Sequence, residues 1–168
     1  TKRNIGVFAD VKVSPEKIVR IASVHLVSFS LQKSEIDMFG EATLLEIDTL
    51  KKHGKNLFGK LLNTFKIRAT ELEDLSSFLK TNDLPLLICG DFNDTPSSYI
   101  YNELIKLNLH DAHLAGGKYL GVTYAGNLPW LRIDYIFFSK GLNAGKSRVY
   151  PISSSDHYPI SFTFNLQP

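Results

Sequence analysis

Three short polar clusters in the second half of the chain carry the residue types that hydrolytic chemistry needs. Each adjoins an apolar run: Gly90-Asp91-Phe92-Asn93-Asp94 follows one, Arg132-Ile133-Asp134-Tyr135 opens one, and Ser155-Asp156-His157 precedes one. Aspartate is a poor strand residue and is rarely buried without a partner. Three aspartates at predicted strand ends, beside an asparagine and a histidine, therefore indicate a cation-dependent site.

Side chains of this kind suit a hard divalent cation. Mg²⁺ and Ca²⁺ bind oxygen ligands, and Mg²⁺ often uses one or two carboxylates together with waters and substrate phosphate oxygens. Zinc prefers more histidine or cysteine at close spacing, and the single cysteine of this chain, Cys89, lies inside an apolar run. We therefore predict Mg²⁺ as the cofactor, with Mn²⁺ or Ca²⁺ as substitutes.

Hydrolysis of a phosphate ester would use these groups together. Phosphate oxygens repel a nucleophile, so a hydrolase needs a cation on those oxygens, a base that orients water, and a donor for the leaving oxygen. These tasks can be divided among Asp91, Asn93, Asp156 and His157. Asp134 can accept a hydrogen bond from the ring of His157, which fixes its tautomer and favours the charged form.

Each cluster also has a structural interpretation that the residues alone leave open. Residues 91–94 can form a turn with Asx hydrogen bonds before a capped helix. Asp134 can be a buried aspartate paired with Arg132 or with a backbone donor, and residues 156–157 can form a loop cap. His25, at the end of a strand, can be an ordinary histidine of the core or its rim.

The predicted elements around these clusters give a mixed α/β chain. Apolar alternation and β-branched residues predict a hairpin of strands 5–13 and 17–29 across the turn Ser14-Pro15-Glu16. Helical spacing predicts helices 34–53 and 56–79, separated by Gly54. The remaining predicted elements are strand 86–90, a helix from Pro96 to about Leu107 capped by Thr95, a short strand 122–124, and strands 132–139, 147–152 and 159–166.

Composition places the 168 residues in one folded domain, residues 1–168. Hydrophobic residues make up 43% of the chain and charged residues 21%, ordinary values for a globular protein. The net charge of +2 does not by itself argue for nucleic acid.

Residues 51–68 are basic, including Arg68, and residues 35–48 are acidic. Pairing of two solvated helix faces is the favoured interpretation, and a phosphate backbone or an anionic membrane is the alternative.

Together, four motifs resemble the endonuclease/exonuclease/phosphatase superfamily. They are Ser23-Val24-His25-Leu26, Gly90-Asp91-Phe92-Asn93, Arg132-Ile133-Asp134-Tyr135 and Ser155-Asp156-His157, in that order. This group includes pancreatic-type deoxyribonucleases, apurinic-site endonucleases, sphingomyelinases and inositol polyphosphate 5-phosphatases. Within this group, the chain resembles uncharacterised bacterial members, notably those of Bacteroidetes.

The resemblance implies a role for each matching position. Asp91 matches the aspartate that orients or deprotonates the attacking water, and Asn93 the asparagine that contacts phosphate and helps place it. His157 matches the histidine that binds the scissile phosphate, and Asp134 its carboxylate partner.

Further positions match less completely. Asp156 matches a residue at or near the metal, which with Asp91 gives the expected metal ligands. His25 matches a position that contacts phosphate or assists the leaving group. Thr123 and Tyr124 match cleft-lining positions more loosely.

The implied fold is two packed sheets flanked by helices, of which this chain resembles the C-terminal two-thirds without the N-terminal strands. The family's asparagine strand and its strand ending in a metal-binding glutamate have no counterpart, because Glu35, Glu41 and Glu46 lie in a helical stretch. We therefore expect that the 168-residue chain by itself binds metal weakly and has poor activity. Its expected partner is the missing N-terminal segment of the parent protein.

The implied activity is divalent-metal-dependent hydrolysis of a phosphodiester by direct attack of water. The implied substrate is a phosphate ester, and nucleic acid is the favoured candidate. The alternatives are a phosphomonoesterase or phospholipid-headgroup hydrolase, and a non-catalytic binding module of the same fold. Related bacterial proteins often carry N-terminal membrane helices, so an extracytoplasmic domain of a membrane-anchored parent is also expected.

Overall fold

The computed structural model of the chain describes residues 5–29, 47–126 and 130–167. Its strands and helices follow in the order β1 (Gly6–Ser14), β2 (Lys17–His25), α1 (Ile47–Lys80), β3 (Leu86–Asp91), α2 (Tyr99–Lys106), β4 (His110–Asp111), α3 (Ala112–Gly116), β5 (Asp134–Phe138), β6 (Leu142–Val149) and β7 (Ile160–Leu166).

The described strands form a five-stranded sheet in the order β1-β2-β3-β5-β4 and a two-stranded sheet of β6 and β7. In the larger sheet β2 and β3 run parallel, whereas β1 and β5 are antiparallel to their neighbours. The carboxyl ends of β2 and β3 therefore lie beside the amino end of β5 at one edge of the sheet. The predicted hairpin of β1 and β2 is confirmed, although β2 ends at His25 rather than residue 29.

The larger sheet is covered on both faces, as the apolar run of β3 predicts. On one face Leu86 and Ile88 pack with Leu72 and Leu75 of α1. On the other face Leu87 packs with Phe138 and Leu142, and β7 adds partly buried residues to that cluster. The predicted class is confirmed: a mixed α/β fold with two packed sheets and flanking helices.

The prediction that Gly54 ends a helix was wrong. A single helix, α1, continues through it to Lys80. A lone glycine costs about 1 kcal/mol in a helix interior, which good helix formers on both sides outweigh. The predicted helix 34–53 falls partly outside the described residues, which resume at residue 47.

Three further boundaries differ from the predictions. The helix expected from Pro96 starts at Tyr99, where the Ser98 side chain accepts from the amide of Tyr101, while Thr95 accepts from the Ser98 amide in a preceding turn. The strand expected at 122–124 is only a bridge between Tyr124 and His157. β6 begins at Leu142, five residues before the strand predicted at 147.

Among the described residues, no helix is long and apolar enough to cross a membrane.

Candidate active site

Three candidate residues lie side by side on adjacent strands. His25, the last residue of β2, is the register partner of Asp91, the last residue of β3. Asp91 in turn is the register partner of Asp134, the first residue of β5. Since side chains alternate along a strand, all three share the face that carries Leu87 and Phe138. The strand register thus gathers residues from three distant parts of the sequence.

His157 joins this group from the connection between β6 and β7. Its Nδ1 lies 3.0 Å from Oδ2 and 3.2 Å from Oδ1 of Asp134. One atom each of Asp91, Asp134 and His157 lies within 4.8 Å of the others. The structure therefore places two carboxylates and an imidazole in one cluster, here called the pocket, at the rim between the two sheets.

A tight turn after β3 fixes both Asp91 and Asn93. The Asn93 amide donates to Asp91 Oδ1 at 2.8 Å, and its side-chain Nδ2 donates to the Leu26 carbonyl at 2.9 Å. Asn93 has φ +52, a left-handed conformation that asparagine tolerates better than most residues. Because Oδ1 of Asp91 is engaged, its Oδ2 is the oxygen that remains for other partners.

Gly90 permits the close approach of β2 and β3 next to the site. Its φ is +146, and a Cβ added there would lie 1.8 Å from the Val24 carbonyl oxygen. Any side chain at this position would separate the strands that carry His25 and Asp91.

Asp134 is held by Thr123, a buried residue whose hydroxyl accepts from the amides of Ile133 and Asp134, each at 3.0 Å. The ring of Tyr124 meets the His157 ring edge to face, with centroids 5.2 Å apart. Both residues were expected to line a cleft. The structure shows that Thr123 supports the backbone at Asp134 and that Tyr124 packs on the histidine.

The surroundings of Asp91 favour its protonated form more than bulk water does. Burial raises the pKa of Asp91, and the negative charge of Asp134 acts in the same direction. The Asn93 amide and the two nearby histidines oppose the rise without cancelling it. A carboxylate with a raised pKa accepts a proton more readily than a surface aspartate.

The surroundings of His157 favour its charged form. Burial alone would lower the pKa of His157, but the hydrogen bond and charge of Asp134, with smaller effects of Asp91 and Asp156, raise it above 6.5. The bond to Asp134 occupies Nδ1, which leaves Nε2 as the free ring nitrogen. A protonated His157 thus presents an N–H and a positive charge to the pocket.

Two of the predicted site residues, His25 and Asp156, lie outside the cluster of Asp91, Asp134 and His157. The Nε2 atom of His25 lies 3.7 Å from Asp91 Oδ2, and the histidine side chain is 74% exposed. Asp156 is exposed; it accepts a 3.4 Å hydrogen bond from Ser155, and its carboxylate does not belong to the group formed by Asp91, Asp134 and His157. The expected role of Asp156 as a metal ligand stays a prediction.

Two ion pairs near the site were not predicted. Arg68 of α1 is fully buried, with Nη1 3.2 Å from Asp94 Oδ2; its assignment to a solvated basic strip was wrong. Arg132 pairs with Asp111 at 2.6 Å, which overturns the alternative that it pairs with Asp134. The spacing of Thr64, Arg68 and Leu75 along one helix face is the signal that would have located Arg68.

The pocket offers a donor set that fits a divalent cation. Asp91 and Asp134 supply carboxylate oxygens, and His157 supplies an imidazole nitrogen when its ring is neutral. Hard cations such as Mg²⁺ and Mn²⁺ accept such ligands when water or substrate oxygens complete the coordination. Because Asp134 also holds the His157 ring, Asp91 is the carboxylate with an oxygen free for an ion.

Several solved structures share this fold. The chain matches an endonuclease/exonuclease/phosphatase from Beutenbergia cavernae with TM-score 0.62 and 15% identity, over 95% of this chain and 38% of that one. It matches the human Nocturnin catalytic domain with TM-score 0.54 and 20% identity, over 94% of this chain and 53% of that one. A mannosyl-6-phosphatase from Bacteroides thetaiotaomicron gives TM-score 0.54 and 15% identity, over 90% and 53%.

The chain therefore spans about half the length or less of these three structures. Comparison with curated protein sequences gives no match. The family model described as Endonuclease/Exonuclease/phosphatase family matches residues 24–157, a range that begins just before His25 and ends at His157. The chain belongs to the endonuclease/exonuclease/phosphatase family.

Proposed function

We propose that this chain carries catalytic groups of a divalent-metal-dependent phosphoesterase that hydrolyses phosphodiesters by direct attack of water. The observation that supports this most is the convergence of Asp91, Asp134 and His157, whose reactive atoms lie within 4.8 Å of one another. A base, an orienting carboxylate and a cationic donor are the groups that such a reaction uses.

Asp91 is the proposed base. Its Oδ1 accepts the Asn93 amide, which fixes the carboxylate and leaves Oδ2 to accept a hydrogen bond from water. Burial raises the pKa of Asp91, so the carboxylate takes up the proton that water loses on attack more readily than an exposed aspartate does.

His157 is the proposed phosphate donor. Its Nδ1 is engaged by Asp134 at 3.0 Å, so Nε2–H is free to donate to a phosphate oxygen. The pKa of His157 is raised, which increases the fraction of charged ring near neutral pH. The positive ring then lowers the repulsion between the phosphate oxygens and the nucleophile.

Asn93 and His25 complete the proposed site. The Asn93 side chain donates to the Leu26 carbonyl and so joins the turn to the end of β2. His25 is exposed beside Asp91, where it can donate to a departing oxygen. Held by Asp91 and its neighbours, a divalent cation would neutralise charge on the phosphate oxygens.

Water rather than a protein side chain is the proposed nucleophile. The single thiol, Cys89, donates to the Ala22 carbonyl, and burial raises the pKa of that thiol. It is therefore neither deprotonated nor aimed at the pocket.

The test is hydrolysis by the 168-residue chain and by any longer polypeptide that its gene encodes, with Mg²⁺ or Mn²⁺. The panel contains bis(p-nitrophenyl) phosphate, p-nitrophenyl phosphate, plasmid DNA, inositol phosphates and sphingomyelin. Asp91→Asn and His157→Ala should each lower kcat by roughly a hundredfold or more. Asp83→Asn, an exposed aspartate outside the site, is the matched control and should leave kcat unchanged.

The panel separates the alternatives. Cleavage of the diester or DNA that depends on Asp91 supports the proposal, whereas turnover only of monoesters or of sphingomyelin would replace it with the monoesterase or headgroup hydrolase. Absence of turnover by the longer polypeptide on every substrate would favour a binding module.

A further inference from the structure

Arg68 connects α1 to the backbone that follows β2. Its Nε donates to the Val27 carbonyl at 2.8 Å, and its guanidinium lies 3.9 Å from the ring centroid of Phe29. One turn further along the helix, Glu71 accepts from the Val27 amide at 2.9 Å. Both polar groups of Val27 are thus held by side chains of the same helix.

Arg68 also reaches the turn that carries the candidate catalytic residues. Its Nη1 lies 3.2 Å from Oδ2 of Asp94, and the Asp94 carboxylate accepts from the Thr95 amide at 3.1 Å. The turn is joined to the same segment a second time, because Asn93 donates to Leu26. Arg68 therefore bridges the two pieces of backbone that Asn93 also joins.

Burying the guanidinium of Arg68 completely carries a large desolvation cost, because the charge is removed from water. Burial lowers the pKa of Arg68, and the charge of Asp94 opposes the change. Replacing a buried ion pair by well-packed apolar residues is often neutral or stabilising, and the neighbouring Leu72 and Leu75 fill the same face without charge. Stability alone therefore gives a weak reason for an arginine here.

We propose that Arg68 is a positioning residue, which holds the 91–94 turn against the segment after β2 so that Asp91 and Asn93 keep their orientation. This inference rests on the function proposed above for its catalytic consequence, whereas its structural part stands on the contacts of Arg68. Arginine suits the task because its planar guanidinium donates through Nε to the Val27 carbonyl while its charge lies beside the Asp94 carboxylate, whereas the ammonium of lysine is a compact point charge.

The first measurement is hydrogen exchange at the Asn93 amide, the group bonded to Asp91 Oδ1. It compares Arg68→Met with Leu72→Ala, a buried residue of the same helix, at temperatures where the two variants have equal global stability. Exchange of the Asn93 amide should be about tenfold faster in Arg68→Met, because the turn opens locally. Arg68→Lys should restore part of the protection.

Kinetics then tests the catalytic consequence. Arg68→Met should lower kcat by roughly tenfold to a hundredfold with little change in KM, since small displacements of catalytic groups are costly. Leu72→Ala should keep the wild-type kcat in its folded fraction. If Arg68→Met does not fold, Asp94→Asn breaks the same bridge and takes its place.

The inference would be overturned if the Asn93 amide exchanged at the same rate in Arg68→Met and Leu72→Ala at equal global stability. It would also be overturned if the enzyme is active and Arg68→Met keeps the wild-type kcat. If the wild-type protein hydrolyses no phosphate ester, the proposed function fails, yet the exchange experiment still decides whether Arg68 holds the turn.

Discussion

His157 Nδ1 lies 3.0 Å from Oδ2 of Asp134, although 23 residues separate them in the chain. Asp134 opens β5 in the larger sheet, and His157 precedes β7 in the smaller one. The pair therefore ties the two sheets together at the rim where Asp91 also lies. Its orientation leaves Nε2 of His157 as the ring nitrogen that is not bonded to Asp134, the atom to which the proposed function assigns the phosphate contact.

Asp134→Asn should lower the pKa of His157. The variant removes the hydrogen bond and charge that raise this pKa, while burial, which lowers it, remains. An NMR titration of the imidazole in metal-free protein measures the change. Asp83→Asn, outside the site, should leave the His157 titration as in the wild type; a pKa that stays the same or rises in Asp134→Asn would contradict the assigned pairing.

The raised pKa of His157 also makes the stability of the folded protein depend on pH. Since the folded-state pKa of His157 is above 6.5, its contribution to stability is present below pH 6.5 and is lost as the pH rises through the folded-state pKa. Chemical denaturation across this window should therefore show a smaller pH dependence in Asp134→Asn than in the wild type.

The sequence predicted the elements of the site better than their arrangement. Asp91 and Asp134 were placed at strand ends because each adjoins an apolar run. Their register pairing depends on β3 and β5 being antiparallel neighbours, and local periodicity does not specify which strands pair. Likewise, helical spacing identified α1 as amphipathic, but not that its buried face includes Arg68 and Glu71.

Thr123 illustrates a different kind of miss. A threonine in an irregular, glycine-rich stretch has many interpretations, and its use as an acceptor for two amides of a distant strand emerges only from tertiary structure. The 124–157 bridge shows the same effect, because it forms between residues that no local pattern connects.

Gly90→Ala should destabilise the protein by about 3 kcal/mol or more, because the added Cβ overlaps backbone in a tightly packed sheet. The overlap is with the Val24 carbonyl oxygen, and φ at Gly90 is +146. Urea denaturation measures the loss. Gly59→Ala is the matched control: a Cβ there meets nothing within 4 Å in α1, so a gain of roughly 0.5–1 kcal/mol is expected. Similar effects at both glycines would refute the close approach.

Thr123→Val keeps the side-chain shape and removes the hydroxyl that accepts from the Ile133 and Asp134 amides. The loss of stability should be about 1–3 kcal/mol, because buried donors lose their acceptor. Thr163→Val removes an exposed hydroxyl bonded to the Lys146 amide, where water can substitute, and should cost about 0.5 kcal/mol or less. Thermal unfolding of the two variants checks the difference, and comparable losses would argue against a supporting role for Thr123.

Arg132→Met should be strongly destabilising, because it leaves Asp111 buried without its cation. Arg132 and Asp111 are 7% and 1% exposed at their side chains and lie 2.6 Å apart, and Tyr101 donates to the same carboxylate at 2.8 Å. Removing one partner of a buried ion pair costs about 3–5 kcal/mol. Arg148→Met, at an exposed position of β6, should stay within about 0.5 kcal/mol of the wild type. Denaturant midpoints at constant m-value measure the stability of both variants. If Arg132→Met lost no more stability than Arg148→Met, the Asp111 carboxylate would not depend on its pair with Arg132.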